Sequence, residues 1–194
     1  MDRTAALPPH AFTLDEASAA GFNARTVQRL AADGRLERLA HGLYQRPETA
    51  TYDTDLYSAA TRAPDATLCL TSALAHHALI DAIPARIGLA LPRGTRRPAT
   101  AGTISWHLFD AETFTVGRTT TQITGTSAVV GLYSAERSIV DAFRLRGVVG
   151  YETGIEALRT WLRRRGSTPA ALLSVARALP RAQGPLREAL TYLT

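Results

Sequence analysis

Between Thr13 and Pro47 the chain is punctuated so closely that it has room for little more than two short helices and a chain reversal. Thr13 followed by Glu16 in "TLDE" has the spacing of a capping box, in which the hydroxyl accepts from the third helical amide and the carboxylate reaches back. Gly21 then ends the helix "LDEASAAG". Asn23, a favoured N-cap, opens "ARTVQRLAAD", where Val27, Leu30 and Ala31 recur at helical spacing until Gly34 stops the run. Two helices this short and this close have the geometry of a helix-turn-helix. The following "RLERLAHGLYQR" alternates imperfectly, and its Leu, its Tyr and the tip glycine Gly42 suit a two-stranded hairpin that Pro47 ends.

At 194 residues the chain suits a small module attached to a larger domain. The polar stretch "TATYDT" lacks a core pattern and places the boundary, giving domains of residues 1–50 and 51–194. In the second, helices are expected at "DLYSAATRA" and, after a short strand, at "TLCLTSALAHHALI". A sheet region spans about 84–133, with "IGLALP", "TISWHLF", "TFTV" and "TTTQITG" as its strands. "SAERSIVDAFRL" begins on Ser134 and sets Ile139, Val140 and Phe143 on one face. "GIEALRTWLRRRG", "TPAALLSVARAL" and "GPLREALTYL" continue as helices, over about 134–194 in all. The expected class is α+β: a helix-turn-helix module carrying a hairpin, then a mixed α/β domain ending in a helical bundle.

All 22 basic residues are arginine, and against 17 acids they leave a formal charge of +5, which favours polyanionic partners. The first 50 residues carry six arginines and six acids, so the excess belongs to the larger domain. Four of those six arginines nevertheless fall between 25 and 38. No run approaches the roughly 18 apolar residues needed to cross a bilayer. The start "MDRTAALPPHAF" lacks the apolar core of a signal peptide. A cytoplasmic protein with no membrane partner is expected. The single cysteine, Cys69, excludes an intrachain disulfide and reads as a buried thiol. No heptad seam marks a dimer, so the expected state is a monomer occupying two repeats cooperatively.

With Val27, Leu30 and Ala31 turned inward, the second helix exposes Arg25, Thr26, Gln28, Arg29 and Asp33. The N-terminal half of the second helix of a helix-turn-helix enters the major groove. There Arg binds guanine bidentately, Gln reads adenine, and Thr touches the thymine methyl or a phosphate. Arg35, Arg38 and Arg46 flank that helix in the hairpin, where a wing neutralises phosphates or probes the minor groove. Asn23 at the helix start and His41 at the hairpin tip complete the candidate DNA-binding set. Arg93, Arg96 and Arg97 in "PRGTRRP" form a candidate second phosphate contact, with a solvated hairpin tip as the equal alternative.

Other constellations carry less. His76 and His77 are about 100° apart on a helix, a poor arrangement for one metal, and His77 with Asp81 is the better-spaced pair. No Cys or HExxH spacing accompanies them, so a structural histidine and no metal site is expected. Asp53 and Asp55 form a D-x-D at a helix start, where an acid serves as a cap. Arg137 and Asp141 stand at i and i+4. Arg163, Arg164 and Arg165 end a helix and complement its dipole. There is no P-loop, GxGxxG or GxSxG, so neither an enzyme nor a cofactor is indicated.

The segment "FTLDEASAAGFNARTVQRLAADGRLERLAHGLYQRP" resembles the N-terminal winged-helix domain of AbiEi-family antitoxins. The family's pattern there is a Phe-Thr start, a short Ala-rich helix, an R-T-V-x-R-L helix and then G-x-L-x-R-x-x-x-G-x-Y. The last positions are Gly34, Leu36, Arg38, Gly42 and Tyr44. "TSALAHHAL" and "YSAERSIVDAFR" are similar to segments of the family's C-terminal domain. One departure is that Pro8 and Pro9 leave little room for a helix before Phe12. The resemblance implies an antitoxin of a type IV toxin-antitoxin system that counteracts a nucleotidyltransferase-like toxin. It also implies repression of the protein's own operon through inverted repeats of promoter DNA. Arg25, Thr26 and Arg29 then take the recognition-helix role, and Arg38 with the hairpin around Gly42 the wing role. The alternative is a winged-helix scaffold that binds RNA or a protein through the basic C-terminal domain.

Overall fold

A computed structural model describes residues 3–47, 53–100, 103–124 and 126–193. The boundary read in "TATYDT" falls, up to residue 52, outside the described residues. The class is α+β, and the chain divides into two compact units, Met1–Arg62 with Gln122–Val129 and Ala63–Thr121 with Val130–Thr194.

The first unit opens with a single 3-10 turn, Arg3–Ala6, whose successor Leu7 is buried. Beyond the two prolines come β1 (Phe12–Thr13), α1 (Leu14–Ala19), α2 (Ala24–Ala32), β2 (Glu37–Ala40), β3 (Leu43–Gln45) and α3 (Thr54–Arg62). The capping box forms as the sequence implies. The Glu16 amide donates to Thr13 Oγ1 at 3.2 Å and the Thr13 amide to Glu16 Oε2 at 2.8 Å. Both helices of the pair end alike, with glycine at positive φ, Gly21 at 84° and Gly34 at 71°. After α1 the Phe22 amide reaches back to the Ala17 carbonyl, and after α2 the Arg35 amide reaches the Leu30 carbonyl, each at 2.9 Å. Asp53 accepts from the Leu56 amide at 2.9 Å and so caps α3, the role expected of the D-x-D.

β3 lies between β1 and β2, antiparallel to both, with Tyr44 facing Phe12 on one side and Arg38 on the other. The imperfect alternation of the hairpin has a cause. The register shifts between Arg38 and Ala40, where the β2 strand carries an extra residue. Leu7, Phe12, Ala17, Phe22, Val27, Leu30, Leu36 and Tyr44 form one core, to which both helices, β1, β3 and the residue just before β2 contribute. Each large apolar side chain buried there stabilises the unit by about 1.5–3 kcal/mol.

Gly34 is the stop on which the geometry after α2 depends. No atom lies within 4 Å of where a Cβ would stand, so substitution meets backbone strain alone. Gly34→Ala is expected to cost about 1–2 kcal/mol, measurable as a lower urea midpoint, with Gly34→Asn losing less.

The second unit contains β4 (Thr67–Leu68), α4 (Leu70–His76), β5 (Ile87–Pro92), β6 (Ile104–Phe109) and, apart from their end residues Gln122 and Val129, β7 (Arg118–Gln122) and β8 (Val129–Tyr133). The strands form one mixed sheet in the order β6-β5-β4-β8-β7. β5 runs parallel to β6 and antiparallel to β4, while β4 and β8 are parallel. Helices α5 (Ala135–Arg144), α6 (Arg146–Val149), α7 (Tyr151–Leu162), α8 (Pro169–Arg177) and α9 (Gln183–Leu193) follow. α5 is the hub, packing against α4, α7, α8 and α9. Its Ile139, Val140 and Phe143 are fully buried, as their spacing predicted. Cys69 is a buried free thiol.

Two sequence expectations fail here. "TFTV" is not a strand: residues 111–117 are successive turns, because side chains take the carbonyls a strand would offer to a neighbour. Arg137 Nη1 donates to the Thr113 and Val116 carbonyls at 2.9 and 2.7 Å, and Tyr133 Oη to the Phe114 carbonyl at 2.9 Å. The helix read through "AHHALI" stops at His76, with Ala78 at φ 50°, so His77 and Asp81 do not share a helical face. His77 instead donates from Nε2 to the Tyr133 carbonyl at 2.7 Å, a structural role. Arg164, at the end of α7, binds the carbonyls of His77 and Ala78 and so holds that helix terminus.

Candidate nucleic-acid interface

Asn23 places the start of α2. Its Oδ1 accepts from the Thr26 amide at 2.8 Å and from the Thr26 hydroxyl at 2.9 Å. The two shortest polar side chains of the candidate set are therefore occupied with each other. Asn23 and Thr26 shape the helix end and leave the outward reach to longer neighbours.

Arg25, Gln28 and Arg29 are exposed, while Val27 and Leu30 on the opposite side are buried. None of the three makes a hydrogen bond or ion pair through its side chain among the described residues. With Asn23 and Thr26 they line one shallow, open depression of about 500 Å³. Two guanidinium groups and a carboxamide thus stand along the N-terminal half of a short helix with their donors turned to solvent. That arrangement binds acceptor-rich, anionic surfaces, and α2 holds it on a rigid element.

The hairpin residues are placed differently from one another. Arg35 and Arg38 are exposed, and Arg38 Nη2 lies 3.2 Å from His41 Nδ1 at the tip. The tip residues His41 and Gly42 border a small cleft with Tyr57, Ser58 and Thr61 of α3, so the hairpin end rests beside that helix. Arg46 is half-buried, with its Nε out of reach of solvent. In the second unit Arg93, Arg96 and Arg97 are exposed in the turn after β5. His107, on β6, has its imidazole pKa held low by burial and secondarily by Arg97.

Glu16 ties the helix pair to residues 122–129, which complete the first unit. Ser127 Oγ donates to Glu16 Oε1 at 2.7 Å. Partial burial raises the carboxyl pKa, but the Thr13 amide, the Ser127 and Thr13 hydroxyls and His10 together bring it below the ordinary value. A carboxyl with a depressed folded-state pKa stabilises above its unfolded pKa and loses that contribution as pH falls through the folded value. Thermal melts from pH 7 downward are therefore expected to show the native protein above Glu16→Gln at neutral pH. The gap narrows as the pH falls below the carboxyl's ordinary value of 4.5 and closes only below the lower folded-state value. A gap that persists at low pH removes the carboxylate from that role.

Among the described residues no cluster of His, Cys, Asp or Glu has the makings of a metal site, and no helix is long and apolar enough to cross a membrane. Residues 10–47, which hold β1, α1, α2, β2 and β3, match the family model described as transcriptional regulator, AbiEi antitoxin. This is the family whose pattern the glycine and arginine spacing resembles. No curated protein matches the chain.

Proposed function

With residues 10–47 as an AbiEi-type regulator module, we propose that this module is a winged helix-turn-helix that binds double-stranded DNA. In this reading α2 enters the major groove and the β2–β3 hairpin lies along the backbone as the wing. Arg25, Gln28 and Arg29 read base edges, Asn23 and Thr26 hold the helix start against phosphate, and Arg35, Arg38, His41 and Arg46 follow the backbone. The observation that carries the proposal is the set of three long polar side chains on α2, exposed and uncommitted within the described protein. A purely structural surface helix has no need to gather donors of that kind at its N-terminal half.

The chain then acts as a cytoplasmic antitoxin and autorepressor. Residues 1–50 bind inverted repeats in the protein's own promoter, and residues 51–194 oppose a nucleotidyltransferase-like toxin encoded beside it. Arg93, Arg96 and Arg97 supply a second phosphate contact from the larger domain. This is the reading of a regulator, not of an enzyme. Its test is a titration of the purified chain with the DNA upstream of its reading frame and with a scrambled duplex at one salt concentration. Preference for the upstream duplex supports it, and equal affinity for both ends it. The antitoxin part is tested separately, by co-expression with the neighbouring reading frame: rescue of growth is expected, and absence of rescue removes that part alone.

A further inference from the structure

The second unit contains a cleft of about 390 Å³, within the range of small-molecule sites of roughly 300–1,000 Å³. Its floor is the edge of the sheet. Ser105 and His107 alternate onto one face of β6, and Gly88, the register partner of Ser105, also lines the cleft and lies close against α4, where an added Cβ would stand 3.2 Å from the Cys69 carbonyl. Leu70, Ile80, Pro84, Val148 and Val149 make the walls apolar. Leu70 is buried at φ 52°, a conformation that β-carbon-bearing residues rarely adopt and that gathers at ligand sites. Val148 remains 66% exposed at the rim.

Five polar side chains converge on these walls: Thr71, Arg86, Ser105, His107 and Thr153. Arg86 donates from Nη2 to the Ile104 carbonyl at 2.7 Å, which holds its guanidinium at the β6 edge. Its other N–H groups, and the side chains of the remaining four, have no hydrogen-bond partner among the described residues. No carboxylate lines the cleft. Of the nearby acids, Glu156 is occupied with the amide of Asp81 at 2.9 Å.

We infer that this cleft binds a small organic carboxylate with an apolar body, its carboxylate on Arg86 and the surrounding hydroxyls and its body against Leu70, Ile80 and Val149. The chemistry selects that class over others. A cation finds no acid, and a neutral apolar molecule forgoes the charge-assisted hydrogen bonds that the exposed Arg86 guanidinium can donate. A phosphate dianion finds one guanidinium beside a histidine that burial and Arg97 keep neutral. The inference does not rest on the DNA-binding reading, since every residue in it belongs to the second unit.

Isothermal titration of the full chain with 4-methylpentanoate and phenylacetate tests it, with 4-methylpentanamide and acetate as controls. Saturable binding of the two acids is expected, weaker by roughly tenfold or more for the amide, which lacks the charge-assisted hydrogen bond, and for acetate, which lacks the body. Arg86→Gln is expected to weaken the acids by the same factor. Val148→Glu, at an exposed position that spares the fold, does so by placing a like charge at the rim and carries the test if Arg86→Gln does not fold. No binding of either acid at millimolar concentration overturns the proposal. Equal binding of acid and amide does so too, as does acid binding unchanged in the folded variants.

Discussion

Asp141→Ala is expected to lower the unfolding free energy by about 3–5 kcal/mol, the loss that follows when one partner of a buried ion pair is removed. Asp141 is fully buried and accepts from two arginines. Arg137 Nε stands 2.8 Å from Oδ2 and Arg144 Nη2 2.7 Å from Oδ1. Without the carboxylate two guanidinium groups face each other, one of them with no access to water. Arg137 is also the clamp on the 111–117 turn and stacks over the Tyr133 ring at 4.4 Å, so its displacement spreads into the sheet. Burial has already pushed the Tyr133 phenol well above its ordinary value, against the opposing pull of Arg137, which marks how dry this region is. Urea titration followed by the fluorescence of Trp106 and Trp161 measures the loss. The double variant Arg137→Met with Asp141→Leu is expected to recover most of it by replacing a buried pair with apolar packing. If the double variant is as unstable as the single, the turn clamp rather than the ion pair dominates. If Asp141→Ala costs less than about 1 kcal/mol, a figure typical of exposed pairs, the network does not anchor α5.

The second large effect is on DNA. Arg25→Ala and Arg29→Ala are each expected to weaken binding to the upstream duplex by about 1–3 kcal/mol, the worth of a bidentate base contact. Both are solvent-exposed on α2, so thermal stability is expected to stay near the native value, and lost affinity then reports a lost contact. Salt dependence separates their role from that of the hairpin. A base-reading arginine lowers preference for the specific duplex over a scrambled one. Arg35→Ala or Arg38→Ala lowers affinity for both duplexes and reduces the slope of log affinity against log salt by about one. Unchanged specific affinity in Arg25→Ala and Arg29→Ala at fixed salt removes α2 from the groove.

Much of the first unit was legible because its signals are local. A capping box, an N-cap and helix-stopping glycines act within one or two turns, so Thr13, Glu16, Gly21, Asn23 and Gly34 specify two helices without help from distant residues. The outward face of α2 follows from the inward placement of Val27 and Leu30, a matter of period alone. The same locality explains Ser134 as the cap of α5 and the burial of Ile139, Val140 and Phe143.

What stayed hidden depends on residues far apart in the chain. "TFTV" has the composition of a strand, and it is turned only because Arg137 and Tyr133, some twenty positions later, take its carbonyls. The end of α4 is held by Arg164 and His77 through partners 56 and 86–87 residues away. The cleft draws Thr71, His107 and Val148 from three elements and Arg86 from the segment before β5, and no spacing in the sequence relates them. By itself the sequence determined the helix pair, its capping and the arginines on its outer face, since backbone hydrogen bonding and helical period are short-range. Only the tertiary structure decided which polar groups are buried together and which stand open, since desolvation is settled by every chain segment that packs around a group.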